Sequence, residues 1–231
     1  MYKRQILRIN HLIETVYTKE LLLKNAELKA FQAQINPHFI YNTLNSVSCM
    51  ALLHQENEIS QVLGSLTKVI RYNLKKPDAI VHLEEELENI YSWCRIQECC
   101  YEQSIRFSYD IQVPADQIKI PKLIIQPLIE NAVVHGANFA GEDARICLHI
   151  WMEGKCLYIV VWDNGTDVDT DRINRLACGK GEVCSDSLGV RNVYERIRLR
   201  YGSAGQMRFE QDEEHHTLVQ IVIPAEMDQS L

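Results

Sequence analysis

Apolar residues recur at helical spacing through the first hundred positions and at alternate positions soon after. Ile6, Ile9, Ile13, Val16 and Leu23 keep a three-four spacing that Glu20 interrupts, and Leu28, Phe31 and Ile35 resume it after a shift. Two arrangements fit this stretch: a dimerising helix, or an amphipathic helix packed on its own domain. Residues 43–74 read as one helix, with Ile59, Val62, Leu63, Leu66, Val69 and Ile70 on a stripe, ended by Lys75-Lys76-Pro77-Asp78. A further helix opens on Glu84-Glu85-Glu86, where negative charge suits the helix dipole, and runs through Ile90, Trp93, Cys94 and Ile96 to about Tyr101. The acidic run reads as a solvated face with no chemical task.

The period then changes. Ile105, Phe107, Tyr109 and Ile111 alternate with polar residues, as a half-buried strand requires. Pro114 begins a turn, and the runs 145–152 and 156–163 flank Glu153-Gly154-Lys155, a hairpin signal. A short helix at 171–177, a loop at Gly179-Lys180-Gly181, a helix at 189–201 closed by Gly202, and a hairpin of 206–211 with 217–224 complete the pattern. Helices among antiparallel strands, after a helical half, predict an α+β chain whose second part is an α/β sandwich.

Composition narrows the classes. A chain of 231 residues holds one large or two small domains, each able to bury a core. The net charge of −7 argues against a general affinity for nucleic acid or anionic membrane. Eight cysteines are scattered through apolar runs, with Cys99 and Cys100 adjacent, and read as reduced thiols of a cytosolic protein. There is no Cys-x-x-Cys pair to favour a structural zinc site, and His215 and His216 read as hairpin residues rather than ligands. No apolar run reaches the roughly 18 residues of a membrane span, and no signal-peptide core follows the start, so a cytoplasmic location is expected.

Four stretches carry candidate chemistry. In Gln34-Ile35-Asn36-Pro37-His38-Phe39, Pro37 cannot donate the backbone hydrogen bond of a continuing helix, so a kink or restart is expected there. His38 is presented at that break, and Asn42, four residues on, shares its helix face within reach of the imidazole. Between Leu123 and Gly136, Asn131 and His135 also stand four apart, with Glu130 beside them: an amide, an imidazole and a carboxylate along one helix edge. Asp163-Asn164-Gly165 closes a predicted strand, offering a carboxylate acceptor and a glycine over which a ring can approach backbone. Gly189 enters a helix whose first N–H groups suit phosphate, with Lys180 and Arg191 to add positive charge. Val190, Val193 and Ile197 form that helix's buried stripe, so Arg196, Arg198 and Arg200 read as solvated.

The string 34–39 followed by Asn42-Thr43-Leu44-Asn45 resembles the phosphoacceptor box of the LytS/YesM-type sensor histidine kinases. The stretch 121–136 resembles the N box of the histidine-kinase ATP-binding (Bergerat) fold, and Asp163-Asn164-Gly165 its first glycine box, in the family's order. The resemblance runs from about Leu28 to Pro224. It implies a signalling helix at 1–27, a helical histidine phosphoacceptor domain at 28–104 and a histidine-kinase-like ATPase domain at 105–226. His38 would be the phosphoacceptor and, with Glu130, catalytic; Asn131 would ligate Mg2+; and Asn131, His135, Asp163, Gly165, Gly189, Arg191 and Thr217 would bind ATP. The resemblance further implies a homodimer, a response regulator as partner, and a membrane sensor segment upstream. Phe39 stands where many histidine kinases place an acidic residue, leaving Glu130 or water as the base. Asp167, Ser187 and His216 replace glycines common in the family. A dimeric signalling scaffold with a degenerate nucleotide site, or an ATPase that transfers to water, is the alternative.

Overall fold

The computed structural model describes residues 37–74, 79–101, 104–136, 144–165, 169–177 and 188–227. Two compact units divide the chain after Ser46. Of the first, the described part is the opening of helix α1 (Pro37–Leu53), which carries His38. The predicted helix at 6–35, Lys180, and the altered positions Asp167 and Ser187 lie outside the described residues.

In the second unit the single helix expected over 43–74 is two. α1 stops at Leu53, and α2 (Asn57–Leu74) follows a tight turn. Gln55 takes a left-handed φ of 63°, Gln55 N–H donates to the Leu52 carbonyl at 3.0 Å and Glu56 N–H to the Ala51 carbonyl at 2.9 Å. This is the paired 5→2 and 6→1 bonding of a Schellman stop, built here without the glycine that usually announces it. Ser48 and Ser60 hydroxyls meet across the turn at 2.8 Å. Of the predicted α2 stripe only Val69 is buried, and Ile59 is exposed. α2 packs on α3 (Leu83–Cys100), whose buried face carries Leu83, Leu87, Ile90 and Cys94.

Two sheets follow. Short strands β1 (Ile80–His82), β3 (Ile118–Pro121) and β8 (Glu226–Met227) form a three-stranded antiparallel sheet in the order β1-β3-β8 that the sequence reading lacked. At two to four residues each, they are too short for a periodicity to register. The main sheet has the order β2-β4-β5-β7-β6, from β2 (Ile105–Ile111), β4 (Ala144–Glu153), β5 (Cys156–Asp163), β7 (Thr217–Pro224) and β6 (Gln206–Gln211). The expectation of antiparallel strands holds for all its pairs but one: β2 runs parallel to β4, because β3 and helix α4 (Gln126–Gly136) intervene as a crossover. Gly154, at φ 60°, opens the two-residue turn between β4 and β5.

Alternation puts one side of each strand into a single core. Leu148, Val161, Val219 and Phe209 form one cross-strand row, and Ile150, Ile159, Ile221 and Met207 the next; all are buried. Helices α4, α5 (Thr170–Ala177) and α6 (Leu188–Tyr201) lie against these strands, closing an α/β sandwich. α6 ends at Gly202, whose φ of 58° takes the chain out of the helix.

Candidate functional site

The row beyond Leu148 and Val161 breaks the apolar pattern. It reads Ile146, Asp163, Thr217 and Gln211 across four strands. Asp163 and Thr217 are buried there, so the sheet face turns polar at the end of its central strand. Asp163 Oδ1 accepts from Gly165 N–H at 2.9 Å, and the Thr217 hydroxyl donates to the Gly165 carbonyl at 3.4 Å. Burial pushes the Asp163 carboxyl up to about 7, against the opposing pull of the Gly165 N–H and of His216. Asn164, to which the sequence reading gave no role, pins the strand end: its Oδ1 accepts from Arg145 N–H at 2.7 Å and its own N–H donates to the Arg145 carbonyl at 3.1 Å.

His216 does not stand on that side. Its ring meets Trp162 edge-on at 5.0 Å, and its Nδ1 lies 3.0 Å from Asp212 Oδ2. Trp162 and Asp163 are consecutive in β5 and point to opposite faces, so the imidazole occupies the face away from the Asp163 side chain.

Helix α4 lies across β4 and β5 with Leu128, Ile129, Ala132 and Val133 buried, leaving Glu130 and Asn131 half-buried. Burial raises the Glu130 carboxyl above the usual carboxylate range, and the Gln126 amide, donating to Glu130 Oε1 at 2.6 Å, opposes this. His135 lies in the last turn of α4. Gly189, exposed at the start of α6, stands beside α4: a Cβ placed on it would come 3.7 Å from the Pro127 Cβ. The entry to α6 and the entry to α4 therefore lie together. Arg191 Nε donates to Glu195 Oε1 at 2.8 Å along the same helix, an ordinary exposed ion pair that a stronger anion can displace.

Other polar groups form the support. Glu86, expected on a solvated face, is fully buried. It accepts from Leu123 N–H at 2.9 Å, from Ile125 N–H at 3.3 Å and from the Tyr72 hydroxyl. A carboxyl acceptor is thus placed at the approach to α4, where backbone N–H groups need one, and burial raises that carboxyl overall. The sequence held the clue: Glu86 is three residues after Leu83 and four before Ile90, on the apolar face of α3. Lys122 is fully buried as well, donating to the Tyr72 carbonyl at 2.6 Å and lying 4.7 Å from the Tyr72 ring centre. Arg196, expected to be solvated, donates to the Lys122 carbonyl at 2.6 Å, and Arg200 pairs with Glu226. These contacts hold the segment 122–125, where Leu123 takes a left-handed φ of 58°, in the shape that launches α4.

His38 is exposed on α1, with Asn42 Nδ2 3.2 Å from its Nδ1, as the four-residue spacing requires.

A five-stranded mixed sheet with helices on one face, polar where its central strand ends and overlain on β4 and β5 by a helix bearing Glu130 and Asn131, has the fold of the histidine-kinase catalytic (Bergerat) domains. The solved catalytic domain of histidine kinase ThkA, in a nucleotide-free form, matches 64% of this chain and 96% of its own with a TM-score of 0.50 at 17% identity, a likeness of fold. Residues 26–105 match the family described as histidine kinase. Sensor histidine kinase YesM of Bacillus subtilis (strain 168) is 36% identical over 217 residues, 94% of this chain and 36% of that protein. Sensor histidine kinase YpdA of Escherichia coli (strain K12) is 31% identical over 188 residues, and sensor protein LytS of Enterococcus faecalis 29% over 213. The chain is related to the LytS/YesM-type sensor histidine kinases and spans about a third of the length of these curated relatives. No helix among the described residues is long and apolar enough to cross a membrane.

Proposed function

We propose that this chain is the phosphoacceptor and ATP-binding part of a two-component sensor histidine kinase, which transfers the γ-phosphoryl group of ATP to His38 and from there to an aspartate of a response regulator. The observation that carries the reading is Asp163: a carboxylate 4% exposed, bound to the Gly165 N–H and beside the Thr217 hydroxyl, interrupting an otherwise apolar sheet face. Burial of that kind costs stability, which points to a use for the group, and an acceptor beside a glycine suits the adenine amino group. The clustered entries to α4 and α6, with Gly189 exposed and Arg191 near the start of α6, suit the phosphates, and His135 lies on the same helix as Asn131. The Asn131 carboxamide beside the Glu130 carboxylate fits a hard cation, so Mg2+ would be held there and would neutralise phosphate charge.

At the acceptor end, a neutral imidazole attacks in line: the N–P bond forms as the bond to the β,γ-bridging oxygen breaks, and ADP leaves. Asn42 sets which nitrogen reacts. With its Nδ2 donating to Nδ1, the ring proton sits on Nε2; with the amide turned over, Oδ1 accepts from Nδ1–H and the lone pair is on Nε2, ready to attack. Glu130 is the candidate base or water-orienting group at the other end.

The parts are read as a signalling helix at 1–27, a phosphoacceptor region at 28–104 and an ATPase region at 105–226. Exposure of Phe39 (67%), Met50 (59%) and Leu53 (82%) on α1 supports a homodimer. The test is incubation of the chain with γ-labelled ATP and Mg2+ beside His38→Gln and Asn131→Ala. Acid-labile, alkali-stable label in the parent, lost in both variants, is the expected result; an unlabelled parent overturns the reading.

A further inference from the structure

Gln126 and Asn89 are 5% and 3% exposed, two buried carboxamides on different helices. Gln126 Nε2 donates to Glu130 Oε1 at 2.6 Å, and Gln126 Oε1 accepts from Asn89 Nδ2 at 2.5 Å. Asn89 Oδ1 is buried and has no hydrogen-bond partner among the described residues. The donors therefore run one way, from α3 through Gln126 to the carboxylate.

That direction is not arbitrary. A carboxamide carries its donor and its acceptor on opposite corners, so reversing one amide in a chain reverses the next. Were Asn89 turned over, its oxygen would face the Gln126 oxygen. Gln126 would have to turn too, and its donated bond to Glu130 Oε1 would be lost. Four charged groups on the elements around α4 have partners of their own: Glu86 of α3 with the Leu123 and Ile125 N–H groups, Asp163 of β5 with Gly165, Arg191 of α6 with Glu195, and Arg196 with the Lys122 carbonyl.

We propose that Asn89 and Gln126 are positioning residues that fix which way the Glu130 carboxyl group faces, making helix α3 a direct partner of the candidate nucleotide site. The role assigned to Glu130 rests on the kinase reading above; the hydrogen-bond chain itself does not. α3 also fixes the start of α4 through Glu86, so it governs both where α4 begins and which way the Glu130 carboxylate faces.

The test is a reversal of the chain. Asn89→Asp puts an acceptor where the donor was and forces the Gln126 amide over, oxygen toward Glu130. Its melting temperature falls, and its autophosphorylation rate at saturating ATP drops by about tenfold or more, while KM for ATP stays within about twofold. Adding Glu130→Gln supplies a donor at position 130, so the whole chain runs backwards with every link made. The double variant recovers the parent's melting temperature and remains inactive. Should Asn89→Asp fail to fold, recovery of folding in the double variant is the same positive result. Additive losses in the double variant, or Asn89→Asp labelling at the parent's rate, overturn the proposal. A parent that labels no histidine sinks the kinase reading, while the melting cycle still decides the chain.

Discussion

Asp163→Asn separates the cost of a buried charge from its use. In the folded chain the Asp163 carboxyl is raised to about 7 from an ordinary 3.8, chiefly by burial. Its folded value lies above its unfolded one, so the folded state binds the proton more tightly. Between about pH 4 and 7 the unfolded chain is ionised while the folded chain is protonated; stability falls as pH rises through this window, and the full penalty stands above it. A shift of about three units corresponds to roughly 4 kcal/mol. Asparagine keeps an oxygen for the Gly165 N–H and carries no charge. The variant is therefore more stable than the parent at pH 8 without nucleotide, by up to that amount, and the advantage shrinks toward zero near pH 4. Its amide nitrogen also places a donor where the adenine amino group needs an acceptor, an unmade bond that weakens ATP binding by about tenfold or more. Thermal melts of both proteins from pH 5 to 8, with ATP titrations at pH 8, measure both effects. A variant less stable than the parent at pH 8, or an advantage that does not shrink as pH falls, would refute the account of the burial cost. ATP affinity equal to the parent's would refute the role in adenine recognition.

Three further changes probe the scaffold. Gly205→Ala would place a Cβ 2.6 Å from Ile197 Cγ2 and 3.0 Å from Tyr201 Cβ, and overpacking of this kind lowers stability by about 1–3 kcal/mol in denaturant melts. Glu86→Ala leaves the Leu123 and Ile125 N–H groups without their acceptor and costs about 3 kcal/mol or more; it also weakens nucleotide binding, because α4 loses its anchored start. Leu148→Ala, within the buried row of Val161 and Val219, costs about 2–5 kcal/mol, and a loss below about 1 kcal/mol would place that row outside the core.

The main-sheet hairpins were legible because each is local: the runs around Gly154, and the pair β6 and β7, carry their own alternation and turn residues. Helix existence was legible for the same reason, and helix ends less so. The stop at Gln55 was invisible because a left-handed position usually marked by glycine is filled by glutamine. The small sheet of β1, β3 and β8 joins residues far apart in sequence through strands of two to four residues. The parallel pairing of β2 depends on a crossover, which no local pattern encodes.

The sequence alone determined the residue types and the order of the boxes: His38 with Asn42 four residues on, Glu130 and Asn131 on one helix, Asp163 and Gly165 closing a strand, and Gly189 opening another helix. These follow from spacing along one element, where covalent geometry fixes which side chains are neighbours. Only the tertiary structure decided the environment of each. It set Asp163 beside Thr217 at the polar end of an apolar sheet face, sent His216 to the opposite face, buried Glu86 under the start of α4 and linked Asn89 to Glu130 through Gln126. Burial and hydrogen-bond partners come from segments brought together by packing, and it is these that set whether a carboxylate is charged and which way it points.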